Sequence, residues 1–235
     1  LEDEIKRLFP KARVERMDSD STAKKGSHGR ILRSFDRRET DILIGTQMVT
    51  KGHDYPNVTL VGVVSADSSL NIPDFRASER TFQLLTQVAG RGGRGDSPGR
   101  VIVQTFNPEH YAITLARSYN YKEFYKEESN NRRQLGYPPF SRMINLRISS
   151  PREERTKNFA RRIGEIARSE SSQYGVDVMG PAEAPIAKIK GRYRWHMLIK
   201  GKHGGKLRSF TMALLERTKR SDPDIKVDID PVNFM

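Results

Sequence analysis

Apolar residues recur at helical spacing near the start of the chain, at Leu1, Ile5, Leu8 and Phe9, and Pro10 closes that element. A short strand from about Arg13 to Met17 follows and runs into the polar turn DSDST. Ile31, Leu32 and Phe35 then mark one face of a helix. The next apolar run, Ile42, Leu43 and Ile44, is continuous, short and β-branched, which predicts a strand covered on both faces of a parallel sheet. Further strands are expected over Thr59–Val64 and Arg100–Thr105, with a helix from about Ala77 to Gly90 between them. Strands and helices alternate, so the first half reads as an α/β layer with a mostly parallel sheet.

The rhythm changes after Glu109. Residues 109–133 are polar, helical in pattern and rich in Tyr, Lys and Glu, until GYPPF at 136–140 stops any helix. Pro138–Pro139 is a candidate cis bond, although few X–Pro bonds are cis. Beyond it the pattern gives a strand (142–149), a helix (152–172), strand pieces at 176–179, 185–190 and 193–200, a helix (204–219) and a strand (225–230). Phe159, Ile163 and Ile166 line one face of the first helix, and Leu207, Phe210 and Leu214 one face of the second. Counting 176–179 and 185–190 as one interrupted strand gives βαββαβ, the split-βαβ or ferredoxin-like α+β plan. The expected division is therefore 1–117 as the α/β domain, 118–139 as a helical connector and 140–235 as the α+β domain.

Charge adds a partner class. The chain has 235 residues and a formal net charge of +13, and residues 141–235 hold 20 basic against 11 acidic side chains. Such a surplus favours a polyanion, nucleic acid before membrane. No cysteine is present, and the five histidines show no ligand spacing, so no metal site is expected. No run approaches about 18 apolar residues, and the acidic, amphipathic start does not look like a signal peptide, which together predict a soluble, cytoplasmic protein.

Two stretches carry candidate chemistry. In QVAGRGGRG at 87–95, helical spacing would put Gln87, Arg91 and Arg94 on one face, with Gly90 and Gly93 keeping the nearby backbone thin. Guanidinium groups fork onto phosphate oxygens and a glutamine can orient a water, a set suited to nucleotide γ-phosphate chemistry. A basic helix end dissolving into a glycine loop fits the spacing equally well. The second stretch follows the strand Ile42–Ile44: GTQMVTKGHD, at the carboxyl end of a strand, where ligands sit in parallel sheets. Thr46 and Lys51 suit a phosphate backbone and Asp54 a ribose hydroxyl or an arginine; turn capping and an ordinary loop acid are the alternatives.

Together these stretches establish a resemblance. GTQMVTKGHD is similar to motif V of superfamily 2 helicases, and QVAGRGGR to their motif VI, Q-x-x-G-R-x-G-R. ADSSLNIPDFRASERTFQLLTQ, GPAEAPIAKIKGRYRW and VDIDPVNF narrow the resemblance to the bacterial primosomal replication-restart DNA helicases, the PriA family, over nearly the whole chain. The resemblance implies a second RecA-like helicase lobe followed by the family's C-terminal domain. It implies Arg94 as an arginine finger, Arg91 supporting it and Gln87 near the γ-phosphate or attacking water. By the same resemblance Gly52, Asp54 and Gly90 border the nucleotide, and Thr46 and Lys51 touch the DNA backbone. One departure is Gly92, where the family often has alanine. Implied partners are forked or single-stranded DNA, single-strand DNA-binding protein and other primosome proteins, with the chain itself a monomer.

The chain contains no G-x-x-x-x-G-K-[ST] cradle, since KGS at 25–27 and HGGK at 203–206 both fail it. The resemblance therefore implies that ATP and Mg²⁺ are bound mainly by a first lobe outside this chain, that zinc belongs to cysteines preceding Leu1, and that the chain alone hydrolyses nothing. VVSAD imitates a Walker B strand, but without a cradle Asp67 reads as a turn or inter-lobe residue. In KIKGRYRWHMLIK, alternation puts Tyr193, Trp195, Met197 and Ile199 on one sheet face, and Arg194, His196 and Lys200 on the other, with Lys188 and Lys190 joining the second. That basic face would track a nucleic-acid backbone, unless it is a solvated face or a protein-docking surface. Trp195 belongs to the core by its row mates, with base stacking as the alternative.

Overall fold

The computed structural model describes residues 1–18, 26–46, 57–90, 99–218 and 223–234. They form two compact units: Leu1–Leu70 with Ser78–Tyr121, and Asn71–Ala77 with Lys122–Met235.

The first unit opens with α1 (Glu2–Leu8), whose first-turn acids and last-turn Lys6 and Arg7 suit the helix dipole. β1 (Val14–Met17) lies parallel to β2 (Ile42–Gly45), with Val14 opposite Ile42, and α2 (Ser27–Asp36) is the crossover. Met17, Ile31 and Leu32 form the buried centre of this unit, with Phe35, Leu43 and Val58 against them. Ile42, Leu43 and Ile44 are only half-buried, not sealed on both faces as their continuous run suggests. The strand starts are pinned by Arg13: its backbone N–H and Nε donate to one Asp41 oxygen at 2.8 and 2.9 Å, and Nη2 to the other at 2.7 Å. These hydrogen bonds, side chain first, hold the Asp41 carboxyl well below the usual carboxylate range.

A second parallel pair joins β3 (Leu60–Val63) to β4 (Arg100–Val103), with α3 (Asp67–Leu70) and α4 (Ala77–Ala89) between them in sequence. Thr81, Phe82, Leu85 and Val88 bury one stripe of α4. The described strands thus form two separate parallel pairs. The helical stretch expected over 109–133 is two helices, α5 (Tyr111–Arg117) and α6 (Tyr121–Leu135), broken where Tyr119 adopts φ 52°.

The second unit is a four-stranded antiparallel sheet, β5 (Arg142–Ser150), β6 (Asp177–Ile189), β7 (Arg192–Gly201) and β8 (Asp224–Ile229), in the order β6-β7-β5-β8. With α7 (Glu153–Tyr174) and α8 (Gly204–Glu216) it is βαββαβ, the split-βαβ plan. The expected interruption survives as register shifts inside a single strand, between Met179 and Ala182 and between Glu183 and Lys188. Ile144, Leu146, Ile148, Met197 and Ile199 face Phe159, Ile163, Leu207, Phe210 and Leu214 of the two helices in one closed core. Trp195 packs against that core, so its apolar row sets its role. The buried hydroxyls of Ser150 and Thr156, 2.8 Å apart, tie the end of β5 to the first turn of α7. β6 and β7 are joined by a two-residue turn, Lys190 at φ 49° and Gly191 at φ 76°, the positive pair that a type I′ hairpin turn requires. The Pro138–Pro139 and Gly180–Pro181 bonds are cis.

At Gly164, α7 leaves no room for a side chain against β6. A Cβ added to Gly164 would lie 2.3 Å from Pro181 Cδ and 3.0 Å from Cγ. Helix propensity alone would make alanine better than glycine here by about 1 kcal/mol. The clash outweighs it, because close-packed cores resist added volume by about 1–3 kcal/mol. Gly164→Ala is therefore expected to lower the stability of the second unit, as a reduced urea midpoint. An unchanged or raised midpoint would show that α7 and β6 part without cost.

Candidate nucleotide and nucleic-acid sites

Of the residues expected at the nucleotide site, Gln87 and Gly90 are described and Gly52, Asp54, Arg91 and Arg94 lie outside the described residues; of the two expected on the DNA backbone in the same region, Thr46 is described and Lys51 is not. Thr46 is exposed directly after Gly45, the last residue of β2. Gln87 is in the last turn of α4, on the face opposite the buried Phe82, Leu85 and Val88, and is exposed with Gln83 one turn earlier. The Gly90 N–H donates to the Thr86 carbonyl at 3.0 Å, so helical hydrogen bonding continues to the residue before Arg91. A Cβ on Gly90 would meet only backbone oxygens at 3.5 and 3.6 Å, ordinary contacts, so packing among the described residues does not impose glycine there.

Asp67 has a local structural role. Its carboxylate accepts from Thr105 Oγ1 at 3.0 Å and from the Phe106 N–H at 3.1 Å, joining the start of α3 to the chain leaving β4. These contacts fit the turn reading over a Walker B role.

The expected basic sheet face needs correction. Arg194, His196 and Lys200 do share the outer face of β7, away from α7 and α8, but Leu198 between them is buried with Met143 and Phe234. Lys188 pairs across the strands with Tyr193, so it lies on the other face; its Nζ is 3.2 Å from the Tyr193 hydroxyl and 4.4 Å from the ring centroid. Lys190 is consumed by the hairpin turn. Lys200 points its ammonium at the Leu135 carbonyl, 2.6 Å away, and Arg194 donates to the Ile186 carbonyl at 3.3 Å.

Aspartates along and just after β8 neutralise much of what remains. On this face Asp228 meets Arg147 at 3.3 Å and Asp224 lies 3.9 Å from Arg192; at the strand end Asp230 also takes Nε of Arg142, a residue of the helix-side row, at 3.0 Å, as well as its Nη2. Each pair is partly exposed, so solvent screening keeps its contribution to stability small. Their electrostatic effect is larger than their energy: the face becomes a row of paired charges. The helix side keeps the exposed basic residues Arg161, Arg162, Lys202, Lys206 and Arg208.

The residues that pattern reading missed are Phe75 and Arg76, in the segment Asn71–Ala77, which packs with the second unit although its sequence neighbours belong to the first. Their only sequence signal was an aromatic next to an arginine after Pro73–Asp74. Among the described residues no group of three or more His, Cys, Asp or Glu side chains could hold a metal ion, and no helix is long and apolar enough to cross a membrane.

His196 offers a pH test. Burial first, then the nearby Arg194 charge, lowers its pKa below the ordinary 6.5, and its Nδ1 is buried without a hydrogen-bond partner. With the folded pKa lowered, the unfolded chain takes up its proton first as pH falls. Stability is therefore lost below about pH 6.5, and the loss levels off once folded His196 is protonated too. His196→Gln should remove this loss as pH falls below about 6.5, read as urea midpoints that no longer decline just below that pH. A variant as acid-sensitive there as the parent would place the titration elsewhere.

Comparison with known proteins matches the two halves separately. Residues 1–96 match the family model described as helicase conserved C-terminal domain, and residues 133–232 the one described as primosomal protein N C-terminal domain. The chain is 44% identical over 241 residues to replication restart protein PriA of Bacillus subtilis (strain 168), covering all of this chain and 30% of that protein. It is 42% identical to the protein of that name from Synechocystis, covering 96% of this chain and 27% of the relative. The Haemophilus influenzae relative is 39% identical, with 98% and 32% covered. The chain thus spans roughly a third of the length of these relatives. Two family models along one chain, with relatives of one name matching it nearly end to end, make it a member of the replication restart protein PriA family, corresponding to the C-terminal region of those proteins.

Proposed function

We propose that this chain supplies the second motor lobe and the C-terminal domain of an ATP-dependent DNA helicase that unwinds forked DNA and helps reload the replication machinery at stalled forks. The observation that carries the reading is α4: a helix hydrogen-bonded through Gly90 that leaves Gln87 exposed and leads directly into Arg91 and Arg94. Within the PriA family this order fits an arginine finger at Arg94, with Arg91 supporting it and Gln87 orienting the attacking water. Gly52, Asp54 and Gly90 border the nucleotide, and Thr46 and Lys51 hold the DNA backbone. Mg·ATP, held mainly by the first lobe, supplies the phosphoanhydride whose hydrolysis drives movement. The side chains of this lobe neutralise and position charge as it breaks.

In the full-length protein, Arg94→Ala should lower DNA-stimulated ATP turnover by about 10³–10⁵. Steady-state phosphate release measures it, and near-normal turnover sinks the finger assignment.

The basic surplus of residues 141–235 supports a second reading for the chain by itself: a non-catalytic module that binds forked or single-stranded DNA or docks a replication partner. The charge-paired outer sheet face moves the contact to the helix side. Single-strand DNA-binding protein and other primosome proteins are the partner class, and a monomer in the bacterial cytoplasm is the working form. Binding of fluorescent forked DNA should weaken with salt, and the charge-removing pair Arg161→Ala, Arg162→Ala should reduce the log–log salt slope by about 1–2. An affinity independent of salt contradicts this reading.

A further inference from the structure

The sheet of the second unit has two edges, and they are built differently. β6, at one edge, carries Pro181 and Pro185 and shifts register against β7 twice. Prolines and bulges are the devices by which natural sheets refuse an added strand. β8, at the other edge, reads DIKVDI, without glycine or proline, and pairs with β5 from Asp224 to Ile229 with no shift. Among the described residues β5 is its only strand neighbour, so the far side of its backbone is open.

The side chains along this edge are unequal as well. Ile225 packs against the core, whereas Val227 and Ile229 of the same row are 40% and 62% exposed. On the outer face Asp224 and Asp228 meet Arg192 and Arg147, Asp228 through Oδ2. Lys226 between them makes no hydrogen bond or ion pair among the described residues. A strand added here needs aliphatic residues against Val227 and Ile229, an acid against Lys226 and a base against Asp228.

The sequence of β8 itself meets that need. Laid antiparallel to a second copy about a two-fold axis at Val227, the strand sets Val227 on its own copy, Ile225 on Ile229 twice and Lys226 on Asp228 twice. A register centred on Lys226 sets lysine on lysine and Asp224 on Asp228, and one centred on Asp228 sets acid on acid. Asp230, next in line to face Asp224, has left the strand at φ 49° and is tied to Arg142.

We propose that two copies of this chain pair through β8, joining their four-stranded sheets into one continuous antiparallel sheet across an isologous interface. One short strand from each copy takes part, so the association belongs to the weak, concentration-dependent class. The pair goes beyond the reading of the chain as a monomer on DNA, which is its dissociated form, and stands or falls independently of the helicase site.

The test uses the full-length protein, as parent, Val227→Lys, Lys226→Asp, and Lys226→Asp combined with Asp228→Lys. Sedimentation equilibrium over a range of protein concentrations is read together with hydrogen exchange over residues 224–229. The parent is expected to associate as concentration rises, with slower exchange in β8. Val227→Lys, which sets two lysines on the axis, should abolish both effects. Lys226→Asp turns both ion pairs into repulsions and should weaken association on the order of tenfold or more. The double exchange should recover most of that loss, because opposite charges face each other again in the same register. Thermal melting shows which variants are folded. Should the double variant fail to fold, since Asp228 also serves Arg147, the two single variants decide. The proposal is overturned by a parent that stays monomeric at every concentration; slow β8 exchange in that dilute monomer would place another part of the full-length protein on the edge. It is equally overturned by association that survives Val227→Lys, or by a folded double variant that associates no better than Lys226→Asp.

Discussion

Pairing of β5 on both edges is the constraint on which the second unit depends. The strand is bonded to β7 from Arg142 to Ser150 and to β8 from Ile144 to Ser149, so a slip by one residue would move every side chain to the wrong face. Ile144, Leu146 and Ile148 are thereby committed to the helices, and Met143, Asn145 and Arg147 to the outer face. The commitment has a cost. Asn145 is fully buried with neither amide atom hydrogen-bonded, and Arg147 keeps a buried Nε in the same condition. Buried unpaired polar groups cost about 1–3 kcal/mol each, a load that the closed apolar core on the other face must offset.

The same pairing explains why the charge surplus does not become a basic sheet. β8 lies beside β5 and delivers Asp224 and Asp228 to a surface whose cations come from β5 and β7. The polyanion-attracting charge is displaced to α7 and α8, whose inward stripes are used up by the core and whose outward stripes are free to be basic. Fold topology, more than composition, decides which side of the domain carries the field.

Much of this was legible from the chain. Periodicities of two and 3.6 residues found the strands and most of the helices, and element order alone gave the split-βαβ plan. Local rules failed where distant residues decide. Alternation could not be counted from Lys188 to Arg194, because a register shift precedes Lys188 and the turn consumes Lys190 and Gly191. Asp224 lies 32 residues from Arg192 of β7 and Asp228 81 residues from Arg147 of β5, and no linear pattern pairs them. Tyr119 breaks the helical stretch through a positive φ that its side chain does not advertise. Of the candidate nucleotide site, motif order picked out the stretch, and the described geometry adds the helix that carries Gln87. Phe75 gathers Tyr137, Arg132 and Phe234 around its ring from positions 57 to 159 residues away, and no local pattern announces that cluster.

Gly164 and Pro181 together constrain substitution in this chain. One is a helix residue with no side chain and the other a ring that fills the space such a side chain would take. The first position is not free to gain a side chain while the ring stands at the second, although seventeen residues separate them in the chain. Across related chains the pair should be inherited as a unit, and a side chain at the first position should appear only with a smaller residue at the second.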